Sequence, residues 1–224
     1  ELGLKLEKVK FIKKNFNFFL KSKKVTLEIH YNSGGRTKQK TKKLKDIISN
    51  YVIENFKGNR KRRLIYCTRN RPGRGAKHGR RMVENCERRI MNKLKKFARE
   101  NGLLFTDFTG WKDWKKKERM TFKDQMLLFS EAEIVVGPHG GAFANIIGIL
   151  PEKNAKVCEF TSGSQVAVQS GISNFGKNYN KLLAFHAEDF VDYYLIPFHP
   201  SSTVEETIID LKYLDSFLEI CKKS

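Results

Sequence analysis

The chain has 224 residues and carries 44 Lys and Arg against 24 Asp and Glu, a formal net charge of +20. This length supports one hydrophobic core with at most a small appendage. No apolar run is long enough for a membrane-spanning helix. The four cysteines show neither metal-ligand spacing nor disulfide-framework density, which excludes a zinc finger and a disulfide-stapled scaffold.

Hydrophobic periodicity and turn signals predict alternating strands and helices in the middle of the chain. The predicted helices cover residues 42–55, 81–100, 121–130 and a segment that starts near residue 142. The predicted strands cover residues 64–68, 103–107, 134–136 and 156–160. We therefore expect an α/β fold, a Rossmann-like parallel sheet with helices on both faces.

The remaining segments are predicted from composition. Residues 70–79 are rich in Gly and Pro and indicate a basic loop, in which Arg71, Arg74 and Lys77 could either close over phosphates or stay solvated. We assign no role to His78. The predicted elements towards the C-terminus are a loop over 161–180, a strand over 182–185, an extended core segment over 192–198 and a helix capped by Thr203.

The stretch from Ile134 to Asn145 runs from an apolar strand into a glycine-rich turn that carries His139. Gly137-Pro138 is expected to end the strand. Gly140 and Gly141 have no Cβ, so a ligand can closely approach their amides, and the first amides of a following helix face the same point. This pattern is typical of an anion site between a strand and a helix, although the same turn also occurs in proteins that bind nothing there.

Two further candidates lie at predicted strand ends. Arg69 follows the strand over 64–68, and its guanidinium can bind a diphosphate through two parallel hydrogen bonds. Glu159 lies near the end of the strand over 156–160, where a carboxylate could accept hydrogen bonds from a ribose or sugar diol. Because parallel strands end at one edge of a sheet, we expect both side chains near His139.

These residues resemble glycosyltransferase family 61. The resemblance lies in residues 129–145 with Pro151 and 157–160, in the strand that ends in Thr68-Arg69, and in residues 80–83. It spans roughly residues 40–200. Two departures are visible: Glu84-Asn85 reverses the family's usual Asn-Glu order, and Ala144 stands where a threonine is frequent, which removes a hydroxyl that could cap the helix or bind phosphate.

The resemblance implies a glycosyltransferase of GT-B architecture, related to protein O-GlcNAc transferases of the secretory pathway and to plant xylosyl- and arabinosyltransferases. Residues 41–224 would be its second, nucleotide-sugar-binding domain, which ends on the C-terminal helix. Residues 1–40 would be a basic N-terminal remnant of a missing first domain. In a eukaryote the resemblance implies the Golgi or endoplasmic reticulum lumen.

The resemblance also implies the chemistry, an inverting transfer from a UDP-sugar to a hydroxyl of a glycan or glycoprotein acceptor. His139 is the catalytic residue, and it neutralises the departing diphosphate together with Arg69 and the amides after Gly140. The residues expected to bind the nucleotide-sugar are Arg69, Gly140, Gly141, Ala142, Asn145 and Glu159. No metal and no cofactor is expected. The required general base is either His139 or a residue of the missing domain.

Charge distribution supports a rival hypothesis. Residues 1–120 hold 36 basic and 11 acidic side chains, whereas residues 121–224 hold 8 and 13. A nucleic-acid-binding protein could use the lysines of 112–117 with Trp111 and Trp114, together with the arginines of 69–81. No recognised nucleic-acid motif accompanies them, and we expect the lysine run to be solvated surface. An inactive α/β remnant is the third hypothesis.

Overall fold

The computed structural model describes residues 10–12, 17–21, 26–29, 38–55, 60–70, 81–113, 115–161, 191–199, 201–203 and 206–222. The elements of this part of the chain are, in order, β1 (Lys10–Ile12), β2 (Asn17–Lys21), β3 (Thr26–Ile29), α1 (Lys38–Asn55), β4 (Arg63–Cys67), β5 (Arg81–Met82), α2 (Glu84–Glu100), β6 (Leu104–Phe108), β7 (Trp111–Asp113), β8 (Glu118–Arg119), α3 (Phe122–Ser130), β9 (Ala132–Pro138), a 3-10 helix (Gly141–Gly148), a 3-10 turn (Pro151–Lys153), β10 (Lys156–Thr161), β11 (Asp192–Pro197), β12 (Glu206–Thr207) and α4 (Leu211–Lys222).

The central sheet has five parallel strands in the order β11-β10-β9-β4-β6. Strands β9 and β10, which are neighbours in sequence, are also neighbours in the sheet, and β4 lies on the other side of β9. The parallel sheet predicted from the sequence is therefore confirmed. The other described pairings are two small antiparallel sheets, β1-β2-β3 and β7-β8, one short parallel pair, β12-β5, and an isolated antiparallel bridge between Phe198 and Ile209.

Alternate residues of the strands pack on opposite faces of the sheet, as strand geometry requires. In β4, Leu64 and Tyr66 pack in one core cluster with residues of α2 and α4. Ile65 and Cys67 pack in the other cluster with residues of α3 and the 3-10 helix. Helix α1 packs outside this second layer, against Met126 and Leu150. The expectation of helices on both faces is confirmed, and the doubly covered sheet explains why β4, β9 and β10 are almost continuously buried.

The prediction that a helix begins at residue 81 was wrong. Arg81 and Met82 form a strand that pairs in parallel with Glu206 and Thr207, and α2 begins only at Glu84. The Val83 amide then donates to the Thr207 carbonyl at 3.0 Å. A partner more than 120 residues away in the chain decides this boundary, and local periodicity cannot reveal it.

The predicted helix from Thr203 was also wrong in its start. Thr203 Oγ1 does accept a hydrogen bond from the Glu206 amide at 2.9 Å, but Glu206 and Thr207 form strand β12 instead of a helix. Helix α4 begins at Leu211, where the Asp210 carboxylate accepts from the Lys212 amide at 3.0 Å. This backbone hydrogen bond, followed by one from the Lys212 side chain, lowers the pKa of Asp210.

Gly137 and Pro138 do not end the strand, contrary to expectation. They continue the pairing with β10 opposite Glu159 and Phe160, and the His139 amide still donates to the Phe160 carbonyl at 2.7 Å. The described pairing with β4 has already ended at Val136. Because amides point alternately to the two neighbours, the missing N–H of Pro138 faces the side on which pairing has stopped.

Several predictions lie outside the described residues: the loop over 70–79 beyond Asn70, with Arg71, Arg74, Lys77 and His78, the loop over 161–180 beyond Thr161, and the strand over 182–185. The extended segment over 192–198 is confirmed by β11. Within the described ranges, no helix combines the length and the apolarity that crossing a membrane would need.

Candidate functional site

The candidate site lies at the carboxyl edge of the sheet, where β4, β9 and β10 end side by side. In open parallel sheets, ligands bind in the crevice beyond this edge. Arg69 comes two residues after the end of β4, and His139 comes directly after β9. The register pairs Tyr66 with Val136 and Phe160 with Pro138, so the three strand ends are in step.

Arg69 and the histidine turn are in direct contact. Nη1 of Arg69 donates a hydrogen bond to the His139 carbonyl oxygen at 2.6 Å. A Cβ placed on Gly140 would lie 3.4 Å from both Cζ and Nε of Arg69. The guanidinium therefore covers the main chain of the turn, and Gly140 provides the room for it. The structure brings together these two of the residues predicted from the sequence.

The turn is also pressed against β4 at its base. A Cβ on Gly137 would lie 2.6 Å from the Cys67 carbonyl oxygen, a separation that real structures do not show. Gly137 thus permits the ends of β4 and β9 to approach each other at main-chain distance. This close approach places Arg69, which follows β4, next to the turn that follows β9.

The helix after the turn is a 3-10 helix, Gly141–Gly148, instead of the expected α-helix. It ends at Gly148 because Pro151 favours extended backbone before it, and Ile149 and Leu150 are both extended. The Phe143 amide donates to the Gly140 carbonyl at 3.0 Å. By this i to i−3 pattern, the amides of Gly141 and Ala142 have no acceptor within the helix.

The other residues predicted on this helix differ in exposure. Gly141 is exposed, and a Cβ there would meet nothing within 4 Å. Ala142 is half-buried. Asn145 is only 8% exposed and lies more than one turn further along the helix. Gly141 and Ala142 therefore lie at the open edge, whereas Asn145 occupies a buried position behind it.

His139 is held by a buried carboxylate. Its Nδ1 is hydrogen-bonded to Oε1 of Glu159, and the Tyr193 hydroxyl donates to Oε2 of the same glutamate. The side chain of Glu159 is 3% exposed and that of His139 is 13% exposed. Both oxygens of Glu159 thus contact protein groups, and the carboxylate lies beneath the histidine ring. The geometry does not favour the contact between Glu159 and a ribose that the sequence suggested.

Sequence reasoning missed the part played by Tyr193. The segment over 192–198 was interpreted as core packing, and its other residues, such as Ile196, do pack in the core. Tyr193 pairs with Val157 in the sheet register, so its ring lies on the same face as Glu159, two residues further along β10. The signal in the sequence was the pair of adjacent tyrosines, Tyr193 and Tyr194, in a segment that resembles the family's tyrosine-containing motif.

A second buried carboxylate, also missed, holds the segment around Arg69. Glu87, on the first turn of α2, is 8% exposed. It accepts hydrogen bonds from the Tyr66 hydroxyl at 3.0 Å, from Thr68 Oγ1 at 2.7 Å and from Asn70 Nδ2. Burial, followed by the negative charge of Glu87, raises the pKa of Tyr66 well above its usual value, so the phenol remains a donor.

Asn70 also ties the segment to β5, because its Nδ2 donates to the Met82 carbonyl at 2.8 Å. The residues on both sides of Arg69 are therefore fixed by one network. Glu84 and Asn85, the pair in reversed order, are exposed on the surface of α2 instead. Glu87, three residues after Glu84, is the acidic residue of this helix that contacts the site segment.

The basic run over 112–117 lies in the β7-β8 region, which follows the carboxyl end of β6. Lys112 and Lys116 are 61% and 78% exposed and make surface ion pairs with Glu118 and Asp113. The Arg119 guanidinium lies 4.9 Å from the centroid of the Trp111 ring. Trp114 lies outside the described residues. These contacts are those of a solvated hairpin, as expected.

Among the side chains that the structure describes, no group of three or more His, Cys, Asp and Glu is placed to hold a metal ion. The cationic and main-chain donors around the turn are the Arg69 guanidinium and the amides of Gly141 and Ala142. These groups are suited to an anion.

Fold and site together define a Rossmann-like α/β domain with cationic and main-chain donors at its carboxyl edge. The family model for glycosyltransferase 61 matches residues 12–158, well over half of the chain. The chain therefore belongs to glycosyltransferase family 61. The matched range contains Arg69 and His139 and ends one residue before Glu159. Comparison with curated proteins finds no match.

Family membership makes the chain a glycosyltransferase, with a sugar donor and an acceptor as its substrates. The match begins at residue 12, within the segment that the sequence analysis assigned to a separate first domain. The division into residues 1–40 and 41–224 remains a prediction.

Proposed function

We propose that this domain holds a nucleotide diphosphate-sugar, in the first instance a UDP-sugar, and transfers the sugar with inversion to a hydroxyl of a glycan or glycoprotein. It would serve as the second domain of a GT-B enzyme. The observation that carries the proposal is the contact between Arg69 and the histidine turn, because it joins a guanidinium to a glycine-rich turn at the ligand-binding edge. For a eukaryotic protein, we propose the Golgi or endoplasmic reticulum lumen as its location.

The groups at this edge suit a diphosphate. A guanidinium presents several donors in a fixed fork, and each charge-assisted hydrogen bond contributes about 1.5–3 kcal/mol. The amides of Gly141 and Ala142 add main-chain donors at the positive end of the 3-10 helix. In sugar transfer the leaving diphosphate gains negative charge, so such donors stabilise the transition state. We propose that they do so without a metal ion.

Titration calorimetry with UDP tests the proposal. Arg69→Met is expected to weaken UDP binding by at least about tenfold, since it removes a charge-assisted pair. Arg62→Met is the matched control, because Arg62 precedes β4 at the opposite edge of the sheet and pairs with Glu133. The control is expected to bind UDP as the wild type does, and EDTA is expected to leave the affinity unchanged.

Other outcomes would contradict this function. Equal loss of UDP binding in both arginine variants would indicate a general charge effect instead of a site. Tight, strongly salt-dependent binding of a short oligonucleotide without a response to UDP would favour the nucleic-acid hypothesis. No binding of either ligand would favour an inactive remnant.

A further inference from the structure

We propose that His139 is the general base that deprotonates the acceptor hydroxyl, and that Glu159 and Tyr193 are the positioning residues that hold its ring for this step. The inference rests on the proposed function and deepens it. It also changes the role of His139, because the sequence suggested that the imidazole neutralises the diphosphate.

The contacts of Glu159 determine which ring nitrogen of His139 carries hydrogen. A carboxylate has only acceptor atoms, and both oxygens of Glu159 are occupied, Oε1 by Nδ1 of His139 and Oε2 by the Tyr193 hydroxyl. Nδ1 must therefore be the nitrogen that carries hydrogen. In a neutral imidazole only one nitrogen is protonated, so the lone pair lies on Nε2.

His139 is held rigidly by contacts of both its main chain and its ring. The main chain of His139 is held on both sides, since its amide donates to the Phe160 carbonyl at 2.7 Å and its carbonyl accepts from Arg69 at 2.6 Å. The Nδ1 contact fixes the ring as well. With 13% of its side chain exposed, the ring keeps a small accessible surface, while Glu159 beneath it is 3% exposed.

Nε2 of His139 suits a hydroxyl group better than a phosphate group. Phosphate oxygens of a nucleoside diphosphate are acceptors, and a lone pair on Nε2 repels them. A hydroxyl can donate to that lone pair. We therefore assign the diphosphate to Arg69 and to the amides of Gly141 and Ala142, and the acceptor hydroxyl to Nε2 of His139.

In the proposed reaction one bond forms, one bond breaks and one proton moves to His139. The acceptor oxygen forms a bond to the anomeric carbon of the sugar while its proton moves to Nε2 of His139. The bond between the anomeric carbon and the diphosphate oxygen breaks, and its electron pair leaves with the diphosphate. The imidazolium that forms is paired with the Glu159 carboxylate, which stabilises its charge, and its extra proton later returns to water.

The tautomer is measured directly by 15N NMR of the histidine rings, without any ligand. The expected result is that His139 in the wild type protonates Nδ1, and that Glu159→Leu, which has no acceptor, shifts the ring towards the Nε2–H form. His139→Gln assigns the spectrum, because the signals that it removes from those of the five histidines belong to His139, and the exposed His199, whose Nδ1 contacts Ser201, is an internal control. A His139 ring that is mainly in the Nε2–H form in the wild type would overturn the proposal.

Binding and turnover test the role of the ring. His139→Gln is expected to keep the Kd for UDP within about threefold, and to slow release of UDP from UDP-GlcNAc or UDP-xylose, with water as acceptor, by about 100-fold or more. Glu159→Gln and Tyr193→Phe are expected to lower kcat with little change in KM. His199→Gln should change neither value.

The failures of the two proposals are distinguishable. If His139→Gln loses UDP affinity as far as Arg69→Met does, the imidazole contacts the diphosphate and the base role is wrong, while the proposed function stands. If the wild type shows the Nδ1–H ring but does not bind UDP, the proposed function fails, and the base role fails with it. Should Glu159→Gln not fold, as judged by thermal melting, Tyr193→Phe gives the same kcat comparison with a milder change.

Discussion

Arg69 and Gly140 are fitted to each other: a Cβ at position 140 would lie 3.4 Å from Nε and Cζ of the guanidinium. The backbone of Gly140 is extended, with φ 168°, so the glycine is not required by its dihedral angle. A Cβ there would instead come into van der Waals contact with the Arg69 guanidinium. This pair joins the end of β4 to the turn after β9, and the proposed diphosphate site depends on it.

Gly140→Ala is expected to disturb the site more than the fold. The guanidinium is the flexible end of a side chain and can move by a few tenths of an ångström, so we expect a change in unfolding free energy of less than about 1 kcal/mol. The same movement misaligns Arg69, and UDP affinity is expected to fall by about three- to tenfold. Chemical denaturation and calorimetry give the two values. A loss of stability without a loss of affinity would show that Arg69 does not contact the ligand.

Gly137→Ala is expected to affect the fold itself. The new Cβ would lie 2.6 Å from the Cys67 carbonyl oxygen, and main chain cannot move aside as a side chain does. We expect a destabilisation of about 1–3 kcal/mol or more, measured by urea denaturation. Gly141→Ala is the matched control for stability, because its Cβ meets nothing within 4 Å. Equal midpoints for the two variants would contradict the close approach of β4 and β9.

Glu87→Ala is expected to loosen the segment that carries Arg69. The change leaves the hydroxyls of Tyr66 and Thr68 without their shared acceptor, and we expect a cost of about 2–5 kcal/mol in unfolding free energy. UDP affinity should fall as well, since Thr68 and Asn70 flank Arg69. Glu84→Ala, an exposed acid in the same helical turn, is expected to cost less than about 1 kcal/mol. If UDP affinity is unchanged in Glu87→Ala, the network does not position Arg69.

Lys45 makes stability depend on pH in the alkaline range. Its Nζ donates to the Ile147 carbonyl at 3.1 Å, near the end of the 3-10 helix, and burial lowers the pKa of Lys45 to about 7, against the opposing charges of Glu152 and Asp46. Between about pH 7 and pH 10.5, the unfolded chain holds this proton and the folded chain does not. Stability therefore rises with pH across this window, and is independent of this group below it.

The comparison of wild type with Lys45→Met isolates this effect. The difference in melting temperature between the two proteins is expected to move in favour of the wild type as pH rises from 7 to 10, because the variant has no proton to release. Lys43→Met, at an exposed position of the same helix, controls for the loss of one lysine. A difference that stays constant over this range would contradict a buried, neutral Lys45.

Much of the fold could be predicted from local sequence. The β-branched run Ile134-Val135-Val136 and the apolar segment over 64–68 are buried strands, as expected, because both faces of the sheet are covered. The helix predicted over 121–130 is α3, and the Thr121 hydroxyl caps it by accepting from the Asp124 amide at 3.1 Å. These features arise from neighbours in the chain, so the sequence displays them directly.

Two errors in the predicted element boundaries share one cause, which is pairing between distant segments. Arg81 and Met82 have helical periodicity with α2, but the strand formed with Glu206 and Thr207 overrides it. β9 was expected to stop before Gly137-Pro138, yet it includes both residues, because the missing amide of Pro138 faces the side on which the described pairing has ended. In both cases a hydrogen-bond partner supplied by another part of the chain outweighs the local preference.

In the candidate site, too, some residues are indicated by local sequence and others are decided by tertiary contacts. The sequence by itself identified Arg69, His139 and the glycine turn, because a strand end, a bare turn and a cationic side chain are local signals of an anion site. Only the tertiary structure decided that Glu159 lies beneath His139 with Tyr193 on its other oxygen, and that Glu87 holds the segment around Arg69. The reason is physical: the sheet register and the helix packing determine which buried carboxylate meets which donor, and both arise from contacts between residues far apart in the chain.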